Sequence, residues 1–199
     1  MRSEDTAAPG GAQSDAAPGS VTIGVAISIP HPFGAELAAW RRSIGDPTAD
    51  AVPPHITLLP PTELDAAGRE AVEKHLESTA DDHHPFRVHL RGTGTFRPVS
   101  PVVFVALARG ISDCEILAAA VRTGPLPVEL RFQYHPHVTV AQALPDPVMD
   151  EAYSALADYE ADFLVDTFGL YAHGLDGVWR KDRTFALGRG APGASQPGH

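Results

Sequence analysis

Two kinds of apolar pattern alternate along the chain and predict an alternation of strands and helices. Segments that are rich in β-branched residues, or that alternate apolar with polar residues, are typical of strands. These predicted strands cover residues 21–30, 55–59, 86–91, 102–107, 137–141, 163–170 and 184–187. Segments that repeat apolar residues every three or four positions are typical of helices. These predicted helices cover residues 33–44, 62–80, 111–122 and 147–159.

The order strand, helix, strand, helix, strand occurs twice, which indicates an internal duplication. Each repeat contains a Pro-His-x-Thr segment, and the two histidines, His55 and His137, are 137 − 55 = 82 residues apart. We therefore predict an α+β protein with two lobes and a cleft between their sheets. Within the first repeat, Pro60 and Pro61 are expected to end the strand, because proline cannot donate a ladder hydrogen bond.

The ends of the chain differ in composition from its middle. Residues 1–20 and 189–199 are rich in Gly, Pro, Ala and Ser, and we expect them to be disordered tails around a folded domain at 21–188. The first tail lacks the apolar centre of a signal peptide. The longest apolar stretch, 21–30, is about half of the roughly 20 residues that span a membrane. We expect a cytoplasmic monomer that does not contact membranes.

The formal net charge of −10 argues against an extended nucleic-acid groove, which needs a basic track. A small anionic substrate needs only a few local cations, and short arginine-containing segments near 87–97 and 180–183 supply them. The single cysteine, Cys114, cannot form an intramolecular disulfide and lies in an apolar helical segment, which favours packing over catalysis.

The two Pro-His-x-Thr segments carry the chemistry of the sequence. Side chains alternate between the faces of a strand, so His55 shares a face with Thr57, and His137 shares a face with Thr139. Two imidazoles can hold opposite protonation states near neutral pH, one as a general base and the other as a general acid. A threonine hydroxyl can donate a hydrogen bond to a phosphate oxygen. This set of groups needs neither a metal nor a cofactor.

At these residues the chain resembles the two-histidine (2H) phosphoesterases, and within them the bacterial 2′-5′ RNA ligase and RNA 2′,3′-cyclic phosphodiesterase branch. The likeness covers about residues 21–187 and includes the segment 94–105 between the motifs. It implies two pseudo-symmetric lobes of antiparallel sheet with outer helices around a central cleft. It also implies metal-independent opening of 2′,3′-cyclic phosphates or 2′-5′ linkages, in which His55 protonates the leaving 3′ oxygen and His137 activates water.

One position departs from that branch, whose members often carry arginine five residues after the second histidine. Here the position holds Gln142, so a small nucleotide is as good a substrate candidate as an RNA terminus. Two alternatives remain open: an RNA-end enzyme that ligates or trims 2′-5′ termini, and a non-catalytic nucleotide-binding module.

Other residues near the motifs are candidates for contacts with the substrate. Arg97 is the candidate phosphate-binding cation in place of Gln142, while Tyr134 and Trp179 can stack on a base, and His135 lies beside the second motif. The run from His135 also resembles the histidine-triad hydrolase motif, which would require a third histidine where Thr139 stands. The adjacent histidines His83 and His84 are interpreted as part of a surface loop rather than as a metal site.

Overall fold

The computed structural model describes residues 20–65 and 67–188, which form eight strands and four helices. The strands are β1 Ser20–Ser28, β2 His55–Asp65, β3 Phe86–Thr95, β4 Val102–Arg109, β5 His137–Gln142, β6 Glu160–Val165, β7 Thr167–His173 and β8 Trp179–Ala186. The helices are α1 Phe33–Ser43, α2 Arg69–Asp81, α3 Ile111–Val121 and α4 Asp146–Ala155. The predicted tails, 1–20 and 189–199, lie outside the described residues except for Ser20, which begins β1.

The described strands form one antiparallel sheet in the order β6-β3-β4-β5-β2-β1-β7-β8. Its two four-stranded halves are pseudo-symmetric, because each histidine-bearing strand lies at the centre and is flanked by the strand that precedes it in its repeat. The halves meet where β2 pairs with β5. The predicted α+β fold with two lobes is thereby confirmed, but the lobes are halves of one continuous sheet rather than two separate sheets.

Helices α1 and α3 pack across the junction between the halves, on the apolar face of the sheet. Helix α1, from the first repeat, contacts β5 and places Phe33 6.2 Å from Phe163 of β6, measured between ring centroids. Helix α3, from the second repeat, contacts β2. Residues from both halves, among them Leu58 and Val140, are fully buried in one hydrophobic core. This shared core fixes the two halves relative to each other, and with them the two histidines.

The prediction that the prolines end the first motif strand is wrong. Strand β2 continues through Pro60 and Pro61 to Asp65, and helix α2 begins at Arg69 rather than at residue 62. The pairing of β1 with β2 is irregular at this point, since it passes from Val25–Leu59 to Ile23–Thr62. A bulge of this kind tolerates proline because local ladder hydrogen bonds are already missing.

The predicted strand at 163–170 is in fact two strands, β6 and β7, separated by Asp166. Strand β6 pairs with β3 in one half of the sheet, whereas β7 pairs with β1 and β8 in the other. The burial pattern changes at the break: positions 161, 163 and 165 alternate with exposed ones before it, whereas 168, 169 and 170 are all buried after it. Helix α4 ends four residues before the predicted end at 159, and β8 begins at 179 instead of 184.

None of the helices in the described part of the chain is long and apolar enough to cross a membrane.

Candidate active site

The two Pro-His-x-Thr segments meet at the junction of the two halves. Ile56 of β2 pairs with Val138 of β5, and both side chains are fully buried on the helix-covered face. In this antiparallel register His55 lies opposite Thr139, and Thr57 lies opposite His137, all on the other face. The histidines therefore occupy one diagonal of a four-residue cluster, and diagonal neighbours of this kind are roughly 7–8 Å apart. That spacing leaves room for a phosphate between two imidazoles.

Both imidazoles are oriented by the same local device. The Nδ1 atom of His55 lies 2.7 Å from the carbonyl oxygen of Pro53, and Nδ1 of His137 lies 2.7 Å from that of His135. A carbonyl only accepts, so Nδ1–H is the donor in each neutral ring. In the first motif, Pro54 lies between His55 and the residue whose carbonyl accepts this hydrogen bond. The fixed φ of Pro54 holds that carbonyl in place. Each Nε2 atom then remains for the substrate.

Burial shifts the titration of both histidines in the same direction. Desolvation lowers the pKa of His55 below 6.5, outweighing the hydrogen bond to Pro53, and the cationic Arg41 lowers it further. Desolvation likewise lowers the pKa of His137, and the imidazoles of His135 and His55 add to this effect.

A buried ion pair supports the segment that precedes His55. The guanidinium of Arg41 contacts the carboxylate of Asp46 at 2.7 Å, and their side chains are 5% and 1% exposed. Arg41 also donates to the hydroxyl of Thr48 and to the carbonyl of Val52. Val52 adjoins the proline whose carbonyl orients His55, so Arg41 anchors the support of this ring.

Aromatic rings surround the second histidine. His137 packs against Phe96 and Phe104, with ring centroids 5.0 and 5.2 Å apart respectively. The exposed His135 stacks beside it at 6.3 Å. A Cβ atom at Gly94 would lie 2.5 Å from the Phe104 ring, so this glycine gives Phe104 its place under His137.

A pocket of about 150 Å³ opens beside His55 and Thr57. Its floor includes Gly24 of β1, and Tyr171 and Trp179 belong to its lining. A Cβ atom at Gly24 would lie 3.2 Å from the Trp179 ring, which is why this position suits glycine. The structure thus places Trp179, a predicted substrate contact, in the same pocket as the first motif.

Two other predicted contacts have partners within the protein. Arg97 donates to Asp150 at 2.7 Å and lies 3.6 Å from Asp146, both on α4. The hydroxyl of Tyr134 donates to the backbone carbonyl of Thr57 at 2.8 Å, on a ring that packs against the core. Substrate contacts by Arg97, Tyr134 and His135 stay predictions.

The remaining candidates fall outside the cluster of motif residues. Gln142 is exposed at the end of β5. Cys114 is buried, and desolvation raises the pKa of its thiol to about 12. His83 bonds through Nδ1 to the carbonyl of Thr79 at 2.6 Å. Across residues 20–65 and 67–188, no three His, Cys, Asp or Glu side chains form a cluster suited to a metal ion.

Sequence reasoning missed Arg41, Phe104 and Tyr171 as parts of this region. Their signals are weak, because an arginine in a helix or an aromatic residue in an apolar strand is common. The glycine at position 24 was a better signal, since glycine inside a β-branched strand often marks the close approach of another group.

Residues 29–177 match the model of a protein family described as the 2′-5′ RNA ligase superfamily. The chain belongs to this superfamily. It is 30% identical over 171 residues to a Bacillus cytotoxicus protein named "Putative phosphoesterase", covering 85% of this chain and 98% of that one. A Bacillus thuringiensis protein of the same name is 29% identical over 170 residues, covering 84% and 98%. The family expected from the doubled motif is confirmed.

Several solved structures share the fold of this chain. Escherichia coli LigT complexed with 3′-AMP superposes with a TM-score of 0.64 at 19% identity, covering 84% of this chain and 98% of LigT. The LigT complex with NADP+ also gives 0.64, at 21% identity, covering 85% and 99%. The Thermus thermophilus protein TT0787 gives 0.60 at 22% identity, covering 84% and 98%. At these identities the likeness concerns the fold alone.

Proposed function

We propose that the protein is a metal-independent phosphodiesterase that opens 2′,3′-cyclic phosphates or cleaves 2′-5′ linkages. One observation carries the proposal: two Pro-His-x-Thr segments lie side by side in the sheet, and both histidines have Nδ1 committed to a carbonyl. Among the described residues neither Nε2 atom has a hydrogen-bond partner, so both are available to a phosphate and its substituents.

The proposed reaction requires one neutral and one protonated imidazole. Nε2 of His137 takes a proton from water as the water oxygen attacks phosphorus. Nε2–H of His55 gives its proton to the 3′ oxygen as the P–O3′ bond breaks, leaving a nucleoside 2′-phosphate and the opposite protonation pattern on the two rings. Thr57 and Thr139 donate hydrogen bonds to the non-bridging oxygens, where negative charge increases in the transition state.

A small nucleotide fits the surroundings of these residues. The pocket beside His55 is lined by the rings of Trp179 and Tyr171, on which a base can stack. LigT, which has the same fold, has been solved with 3′-AMP and with NADP+. By analogy, a small nucleotide is the substrate that we propose for the present chain.

The deciding experiment is hydrolysis of 2′,3′-cyclic nucleotides and 2′-5′ dinucleotides in the presence of EDTA. Alanine at His55 or His137 should each lower kcat by about 10²- to 10⁴-fold, while His84→Ala, an exposed control, should leave it unchanged. ³¹P NMR of the product should show a 2′-phosphate. Full turnover by His137→Ala, or loss of turnover in EDTA, would refute the proposed mechanism.

A second function, 2′-5′ ligation or trimming of RNA ends, is favoured by the name of the family. It predicts salt-sensitive binding to RNA termini but not to mononucleotides. A non-catalytic nucleotide-binding module would instead bind tightly without turnover. The cytoplasmic location and the monomeric state stay predictions.

A further inference from the structure

Lys181 lies on the same face of the sheet as Tyr171, next to the pocket that contains His55. It is the register partner of Tyr171 on the neighbouring strand β7, and paired residues project from the same face of a sheet. The Nζ atom of Lys181 lies 5.7 Å from the centroid of the Tyr171 ring. Tyr171 lines the pocket together with His55 and Thr57. The ammonium group therefore lies at the margin of the proposed nucleoside site.

The charge of Lys181 remains available to a ligand, unlike that of the neighbouring cations. Arg180 forms a double hydrogen bond with Asp176, at 2.8 and 2.5 Å. Arg183 donates to two carboxylates of α2, at 2.7 and 2.5 Å. Within residues 20–65 and 67–188, Lys181 has no carboxylate partner, and its ammonium group lies over the Tyr171 ring.

Tyr171 connects this cation with the neighbourhood of the first histidine. A Cβ atom at Gly169 would lie 2.9 Å from Cε2 of Tyr171, so the ring lies over this glycine. The hydroxyl of Tyr171 is 2.6 Å from the hydroxyl of Ser28, and Ser28 is paired with His55 across β1 and β2. The tyrosine side chain thus extends along the pocket wall, with the ammonium over its ring and its hydroxyl near His55.

We propose that Lys181 binds a second phosphate group of the substrate, separated from the scissile phosphate by the nucleoside. The inference rests on the proposed function and narrows its substrate class. A nucleoside in the aromatic pocket would place its 2′,3′-cyclic phosphate at the motif residues and its 5′-phosphate at Lys181. The same 5′-phosphate occurs in a free nucleotide and in the last residue of an oligonucleotide.

Binding of reaction products tests this without relying on turnover. Calorimetry at low ionic strength would compare adenosine 2′-phosphate with adenosine 2′,5′-bisphosphate. We expect the wild-type protein to bind the bisphosphate about fivefold more tightly, the upper end for an exposed ion pair. This preference should disappear in Lys181→Ala and persist in Lys181→Arg. Lys74→Ala, which changes the other lysine, on α2, should retain it.

The proposal is overturned if the wild-type protein shows no preference, binds neither ligand, or keeps its preference in Lys181→Ala. If the preference behaves as expected but cyclic phosphates are not hydrolysed, the proposed function fails while the phosphate site stands. A 5′-phosphorylated mononucleotide and a dinucleotide, each with a 2′,3′-cyclic end, distinguish the two sources of the group. If only the mononucleotide binds more tightly, the site is specific for a phosphate monoester. If the mononucleotide and the dinucleotide gain equally, the site accepts a phosphate monoester or a phosphodiester.

Discussion

Replacing Arg41 by methionine removes a buried guanidinium and leaves the carboxylate of Asp46 without its ion-pair partner. The two side chains are 5% and 1% exposed, so water is a poor substitute for the lost cation. Breaking a buried pair costs about 3–5 kcal/mol. Thr48 still donates to the carboxylate, so we expect about 3 kcal/mol. For a domain of this size that lowers Tm by about 6–12 °C.

The same substitution should impair catalysis, because it frees the carbonyl of Val52 next to the proline that orients His55. We expect kcat to fall about tenfold, since small displacements of a catalytic group have effects of this order. Arg41→Lys keeps the charge, but a single ammonium cannot replace a guanidinium fork that has three acceptors. Compared with Arg41→Met, Arg41→Lys should therefore regain more of the wild-type stability than of the wild-type kcat.

Thermal or urea unfolding, together with steady-state hydrolysis, measures both effects. Burial alone would raise the pKa of Asp46, but hydrogen bonds from Thr48 and Arg41 hold it below its ordinary value. Stability gained from such a lowered pKa is present above the unfolded value and is lost as pH falls through the folded one. The difference in the free energy of unfolding between wild type and Arg41→Met should therefore become smaller below about pH 4.

The matched control is Arg42→Met, which changes an exposed pair with Asp50 at 3.2 Å and should alter stability by less than about 0.5 kcal/mol. An Arg41→Met protein as stable as wild type at pH 7 would contradict the energetic importance of the pair. A destabilised protein with unchanged kcat would contradict the anchoring of His55.

Three further predictions concern the motif residues and their surroundings. Desolvation lowers the pKa of both proposed catalytic histidines below 6.5. The bell-shaped profile of kcat/KM against pH should therefore have its maximum below 6.5, and a maximum above 7 would contradict this. In Gly94→Ala, the new Cβ atom would lie 2.5 Å from the buried Phe104 ring. This substitution should reduce the free energy of unfolding by about 1–3 kcal/mol and also lower kcat. An unchanged Tm would refute the contact. The hydroxyl of Tyr134 donates a hydrogen bond to the backbone carbonyl of Thr57. Tyr134→Phe should therefore lower the free energy of unfolding by about 1 kcal/mol and leave KM unchanged. A large rise in KM would instead indicate that Tyr134 contacts the substrate.

The sequence was sufficient to predict most elements and the pairing of the two motifs. Period-two alternation and β-branched residues located the strands, and the repeated Pro-His-x-Thr segment indicated the two-lobed arrangement. The proline rule failed at Pro60 and Pro61 because tertiary pairing contains a bulge there, which local sequence does not reveal. The break at Asp166 appears in the structure as a change from alternating to consecutive buried positions, but the sequence does not reveal it, because the apolar Leu164 is exposed.

The surroundings of the motifs were harder to predict, because they depend on contacts between distant segments. Tyr171 reaches Ser28 across 143 residues, and Arg97 reaches Asp150 across 53. No short-range pattern encodes such pairs. The tilt of the imidazoles, in contrast, is local, since each ring bonds to a carbonyl two residues earlier. The repeated X-Pro-His sequence was therefore a signal for the orientation of both imidazole rings as well as for a turn.

The place of β1 within the sheet has a consequence for synthesis of the chain. Its second neighbour is β7, and the pair Ala26–Gly169 joins residues that are 169 − 26 = 143 positions apart. One edge of an apolar strand thus stays open until most of the polypeptide has left the ribosome, and open edges of this kind invite aggregation. A nascent chain that has just released β2 already carries His55, but the tyrosine and tryptophan of its pocket have yet to be translated.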